Sequence, residues 1–527
     1  MSLRLAFSLY LASPFLPLMA QTNVLTYHNN VARTGSNLAE TTLTPSNVNA
    51  ANFGKLFQAT LDGVVDAQPL YVAGVAIPNH GTHNVLIVAP ENDSLYALDA
   101  DTGAQLWKLS LLDTGETASD DRGCGQVTPT IGITSTPVIY LKPGTAEGVI
   151  FAVAMSKDSS GNYHQRLQEV YLRAGKRVAA GVEITATYPG TGEDSQNGFA
   201  YFDPKQYKER SGLLLLNGVL YLAWASHCDD APYTGWIMGY DATTLARTMV
   251  IDVTPNGGEG AIWGAGAGLA ADPGGFIYFL DANGTFDTTL DAQGFPASGD
   301  YGNAFVKLSA ASGTLTVTDY FTMSNTTNES NGDVDLGSGG ALVLPEMTDS
   351  SGHVQQLAIG AGKDGNIYLV DRLNMGKFSP QNDSAIYQEL DGALPGGIWS
   401  MPAYYNGSVY FGEVGGPIQE FQFSKALLSS TPTSVTGTSF PYPGATPSIS
   451  ANVDTDGILW AEENNSTAVL HAYRAGNLAQ EIYNTSQAAN GRDNFGSGNK
   501  FMVPTIVNGK VYVGTPNGVA AFGLLTP

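Results

Sequence analysis

Apolar and alternating runs of roughly four to eight residues, separated by polar turn signals, fill most of the chain, and a helical period is almost absent. The clearest stretch is 85–109, VLIVAPENDSLYALDADTGAQLWKL. Its pattern predicts strands over 85–89, 94–99 and 104–109, with turns at Asn92-Asp93 and Asp101-Thr102-Gly103. Gln68-Pro69-Leu70-Tyr71-Val72 supplies a further strand upstream. Four short antiparallel strands within about 45 residues have the size of one blade of a β-propeller.

The first-strand signal recurs at Thr136-Pro137-Val138-Ile139, at 212–216, 268–271 and 340–345, and at Met401-Pro402-Ala403-Tyr404, Thr446-Pro447-Ser448-Ile449 and Val503-Pro504-Thr505-Ile506. With the first copy this predicts an all-β, eight-bladed propeller of four-stranded antiparallel blades. Third-strand signals recur at 238–241, 305–308, 368–371 and 470–473. The last unit holds only three strands, at 502–508, 510–515 and 519–524. The early run 54–61, GKLFQATL, is a strand without a blade. Added to the C-terminal blade, it would close the ring and remove an exposed edge. This divides the chain into a leader at 1–20, an N-terminal arm at 21–53 and a single propeller over 54–527.

The leader is read from MSLRLAFSLYLASPFLPLMA, one early Arg4 followed by an apolar stretch that Pro14 and Pro17 interrupt. This is the pattern of a secretory signal peptide, so a secreted or periplasmic protein is expected. No later segment has 18 consecutive apolar residues, and no membrane span is expected. The chain has 24 Lys plus Arg against 48 Asp plus Glu, a net charge of −24. That balance excludes nucleic acid as a partner, which needs a basic surface. The architecture predicts a monomer with an unknown ligand at the propeller mouth. Cys124 and Cys228 are the two cysteines. In an exported chain an even pair points to one disulfide, and both fall in loops of the same face; two free thiols are the alternative.

Ala97-Leu98-Asp99-Ala100-Asp101-Thr102-Gly103, followed by Trp107, resembles the blade motif of the pyrroloquinoline quinone (PQQ) propeller superfamily. In that superfamily the Trp docks between neighbouring blades. Only the first unit keeps the motif whole. The resemblance implies a cofactor pocket built from mouth loops, in the order found in quinoprotein alcohol dehydrogenases. Asp230 and Asn283 would be ligands of Ca²⁺ or a lanthanide, Trp263 the flat residue under the quinone, and Lys363 the partner of the quinone oxygens. One of Asp333 and Asp335 would be the general base, and the other a possible lanthanide ligand. Hard cations favour such oxygen ligands, and a carboxylate within reach takes the alcohol proton as hydride leaves.

The sequence also departs from that pattern. Asp230 is one carbon shorter than the Glu of the family, Cys124 is followed by Gly125 where the family has a second cysteine, and Ile398-Trp399 replaces Asn-Trp. Asn283-Gly284 and Lys363-Asp364-Gly365 also suit ordinary turns, Trp263 suits inter-blade packing, and Asp333 and Asp335 suit a solvated loop. Gly491-Arg492-Asp493 and Lys500 suit either an anion grip or a clasp on the arm. The reading reached is a non-catalytic binding or scaffold propeller with a degenerate quinoprotein-type pocket. The alternative is a PQQ- and Ca²⁺- or lanthanide-dependent dehydrogenase of an alcohol, aldehyde or sugar. A hydrolase lacks its motifs here.

Overall fold

The computed structural model describes residues 22–526, so the leader read at Met1–Ala20 lies outside the described residues. Among the described residues the chain is all-β, with one α-helix, Thr326–Asn331, and a few 3-10 turns. Eight sheets of four or more strands follow one another, antiparallel apart from the short parallel pairing of Ser36–Asn37 with Ser448–Asn452. The first is Leu70–Ile77, Gly81–Val88, Ser94–Asp99 and Gln105–Ser110, in that order. The next seven begin at Val138–Leu141, Leu214–Leu216, Ala270–Ala271, Leu342–Val343, Ala403–Tyr405, Ser448–Asn452 and Thr505–Val507. The eighth sheet takes its outer strand from the other end of the chain. Phe53–Thr60 pairs antiparallel with Gly518–Leu524, from Phe53 opposite Leu524 to Thr60 opposite Gly518.

The turn chemistry explains the repeat motif. Asp99 Oδ1 accepts hydrogen bonds from the Asp101 and Thr102 amides and the Thr102 hydroxyl, while Gly103 supplies the left-handed backbone that ends the turn. Asp241 does the same with Thr243 and Thr244. Trp107 Nε1 donates to the Leu172 carbonyl of the second sheet, 3.0 Å away. A Cβ on Gly175 would lie 2.4 Å from that indole, so the glycine makes room for the docking. The Trp therefore joins neighbouring sheets, as the motif implied.

Period-two alternation gives each sheet two apolar faces. In the fourth sheet Ala271, Ile277 and Phe279 pack with the third, while Ala270, Tyr278 and Leu280 pack with the fifth. The same holds along the series, and the eighth sheet packs on both the seventh and the first. Each fully buried Leu, Ile or Phe contributes about 1.5–3 kcal/mol, so these faces hold the sheets side by side.

The arm meets all eight sheets in order. Val24 pairs with Tyr71, Leu25 accepts from the Ile139 amide, and Thr26 and Arg33 reach the Leu213 carbonyl. Val31, Ala32, Thr34 and Gly35 accept from Ala271, Val343, Tyr404 and Ile449 in turn, and Asn37 donates to Ile506. Buried Arg33 ties this path together through Thr26, Tyr27, Leu213 and Leu269.

The sequence reading missed additions to the second sheet. Thr117–Asp120 pairs with the end of Gly148–Lys157 and also with Thr130–Ile131. Residues 187–201 form a separate three-stranded sheet. These runs are too short and polar to show a period.

Candidate functional site

Loops between sheets, and turns between second and third strands, converge on one face. The connection into the fifth sheet carries Asp333, with a backbone φ of +56°, and Asp335 just before the turn Leu336–Ser338. Lys363 follows the strand Leu357–Ala361 of the same sheet. Its amide donates to the Asp335 carbonyl, and its ammonium donates to Asp333 Oδ1 at 2.7 Å and pairs with Asp335 Oδ2 at 2.9 Å. The other Asp335 oxygen accepts from the Asn283 amide at 2.9 Å. Asp335 is buried, with a side chain 4% exposed, whereas that of Asp333 is 73% exposed.

Burial pushes the Asp335 carboxyl above its usual range, against the pull of Lys363. Burial also opposes charge on Lys363, yet the two carboxylates hold its ammonium above the usual value. Asn283 Nδ2 donates to Glu259 at 3.1 Å. Burial, then Glu193, Asp229 and Asp335, raise the Glu259 carboxyl. A Cβ on Gly284 would lie 2.4 Å from the Gly260 amide nitrogen, so this turn requires glycine for close approach.

A chain of aromatic rings runs on from this cluster. The Lys363 ammonium lies 5.9 Å from the Trp399 ring centre, and Trp399 meets Tyr442 edge-on at 6.3 Å. Tyr442 meets Phe501 at 6.4 Å, and Phe501 meets Trp263 at 6.2 Å. The Arg210 guanidinium lies 4.9 Å over the Phe501 ring. These rings run from Lys363 to Trp263, and Asn283, Asp333, Asp335 and Lys363 form one bonded cluster.

Asp230 stands apart. Its side chain is exposed, its carbonyl accepts from Gln206, and its charge faces Arg122 and His227. Its neighbour Asp229 bonds Ser226 at 2.7 Å. Cys124 and Cys228 form a disulfide at this face, with Cα atoms 5.8 Å apart. The Arg492–Asp493 pair belongs to the arm, bonding Ala50, Phe53 and Lys55. Lys500, by contrast, reaches Gln126, two residues past Cys124.

Sequence reasoning missed Glu259, Lys208, Arg210, Tyr442 and Phe501. Lys208 lies in Tyr207–Glu209, where all three residues are buried, so no alternation marks it. Phe501 follows Lys500 with a backbone φ of +63°, which leaves no trace in residue type.

No protein-family model matches the chain, and no curated protein is similar to it in sequence. Solved structures are similar in fold. A quinohemoprotein alcohol dehydrogenase from Comamonas testosteroni superposes with a TM-score of 0.62 at 13% identity, over 95% of this chain and 80% of that one. Another, from Pseudomonas putida, gives 0.61 at 14% identity with the same coverage. A europium-containing methanol dehydrogenase gives 0.61 at 11% identity, over 95% of this chain and 98% of that one. What these proteins share with this chain is architecture: it has the PQQ-type β-propeller fold of the quinoprotein alcohol and methanol dehydrogenases.

Proposed function

We propose that the chain is a non-catalytic binding propeller whose mouth receives a ligand. Its eight sheets are the blades of one ring, one domain over 54–527 with 21–53 as its arm. Sequential packing of the sheets, with the eighth against both the seventh and the first, supports the ring. So does an arm that touches all eight inner strands within residues 24–37. The pairing of Phe53–Thr60 with Gly518–Leu524 supports its closure. A secreted or periplasmic location and a monomeric state go with this reading. The disulfide supports export.

The observation that carries the binding reading is the ammonium of Lys363 between Asp333 and Asp335. A Ca²⁺ or lanthanide ion needs about six to eight oxygen ligands around one point. Here a side chain of the protein itself stands between the two acidic groups and offsets one of their charges, and Asp230 faces Arg122 and His227 instead of Asn283. Both oxygens of Asp335 already accept hydrogen bonds, one from an amide and one from an ammonium. The donor set does not fit the metal. The alternative, a PQQ- and metal-dependent dehydrogenase, draws on the meeting of Asn283, Asp335 and Lys363 with Trp399 nearby.

Titrating the purified mature protein with PQQ plus Ca²⁺ or a lanthanide distinguishes the two. The expected result is no stoichiometric absorbance change and no alcohol-dependent dye reduction. A stoichiometric change with dye reduction that Asp335→Asn abolishes would overturn the binding reading.

A further inference from the structure

Lys208, Arg210 and Lys500 approach the mouth from two chain segments, and among the described residues none of them forms an ion pair. The nearest polar partner of the Lys208 ammonium is Cys124 Sγ, at 3.8 Å. Arg210 makes one long hydrogen bond, 3.4 Å, to the Thr134 carbonyl, and Lys500 donates to the amide oxygen of Gln126 at 3.2 Å. Lys208 is 5% exposed and Arg210 6%. Cations withdrawn from water without a counter-charge oppose folding. Burial, then Arg210, bring the Lys208 ammonium down to about 8, and burial also lowers Lys500.

The nearby acids compensate only in part. Burial raises the carboxyls of Glu91 and Glu209 well above the usual range, which favours their neutral forms. Asp229 and Asp66 act on Lys208 and Lys500 at longer range without outweighing burial, and among the described residues neither forms an ion pair with the three cations. The chain has only 24 basic residues against 48 acidic ones, so an unpaired trio beside an aromatic wall is not the product of a generally basic surface.

We propose that Lys208, Arg210 and Lys500 seat a multivalent oxyanion, an organic polycarboxylate or a phosphate ester, at the mouth. The guanidinium of Arg210, stacked on Phe501, offers a planar fork for paired oxygens, and the two ammonium groups supply the remaining charge. The inference rests on the reading that the mouth is a ligand site and names the ligand's chemistry.

Calorimetric titration of the mature protein at low salt, with citrate in one arm and pyrophosphate in the other, tests it. At least one anion is expected to bind and to quench indole fluorescence from Trp263 or Trp399. Lys208→Met and Lys500→Gln should each weaken that binding by about tenfold or more, while Lys142→Met leaves it unchanged. Citrate alone identifies a carboxylate ligand, pyrophosphate alone a phosphate one, and both together the shared chemistry. Binding of neither overturns the proposal, as does binding that Lys500→Gln leaves intact. The half-buried Lys500 keeps the test decisive if Lys208→Met fails to fold. Because PQQ also carries carboxylates, the two anions are titrated without it; dye reduction with PQQ would remove the non-catalytic reading and leave the citrate and pyrophosphate titrations to decide this proposal.

Discussion

His471 is buried in the seventh sheet, with one ring nitrogen 2.6 Å from Glu481 and the other 3.2 Å from Glu463. It stacks on Tyr473, whose hydroxyl lies 3.2 Å from Nδ1. Burial disfavours the imidazolium, but the two carboxylates outweigh it and raise the group above 6.5. Burial likewise opposes the Glu481 carboxylate, and His471 holds it below 4.5. The raised histidine stabilises the fold below about 6.5, and this is lost as pH rises through its folded value. The lowered Glu481 stabilises above about 4.5 and loses this as pH falls. Thermal melts of the parent and His471→Gln should differ most in the window between. A difference that persists or grows toward about pH 9 would show that the charge is not what matters.

At the scale of the element, the strand Phe53–Thr60 is held by more than its ladder. Asp493 is fully buried and accepts from the Lys55 amide at 2.9 Å and the Tyr483 hydroxyl at 2.8 Å, while pairing with Arg492. Arg492 in turn donates to the Phe53 carbonyl. Asp493→Ala leaves these donors without their acceptor and is expected to cost about 2–3 kcal/mol. A denaturant midpoint equal to that of the parent would refute the clasp. Period-two alternation and turn residues made most strands of the sheets legible. The additions to the second sheet were not, because two-residue pairings follow from neighbours and not from their own pattern.

At the scale of the whole molecule, the arm reaches each sheet through backbone hydrogen bonds and buries Arg33 completely. Deleting residues 22–52, while keeping the strand Phe53–Thr60, should lower Tm by at least about 5 °C and broaden the transition. An unchanged melt would reduce the arm to an appendage. The same scale governs the site. Each mouth residue comes from a different loop, so its partners depend on how neighbouring sheets are turned, and Asp229 and Asp230 illustrate this. The two are adjacent and chemically alike, yet one bonds Ser226 while the other faces Arg122 and His227.

Most strands of the repeating sheets, their turn chemistry and the spare strand near the start were written in local order, since alternation and Asp-x-x-Thr-Gly turns act over a few residues. So was the likeness to the PQQ propellers, carried by Asp99, Thr102, Gly103 and Trp107. The ammonium between Asp333 and Asp335, the exclusion of Asp230 and the gathering of Lys208, Arg210 and Lys500 were not. Those arrangements depend on electrostatics and burial between segments distant in the chain, which residue type alone does not encode.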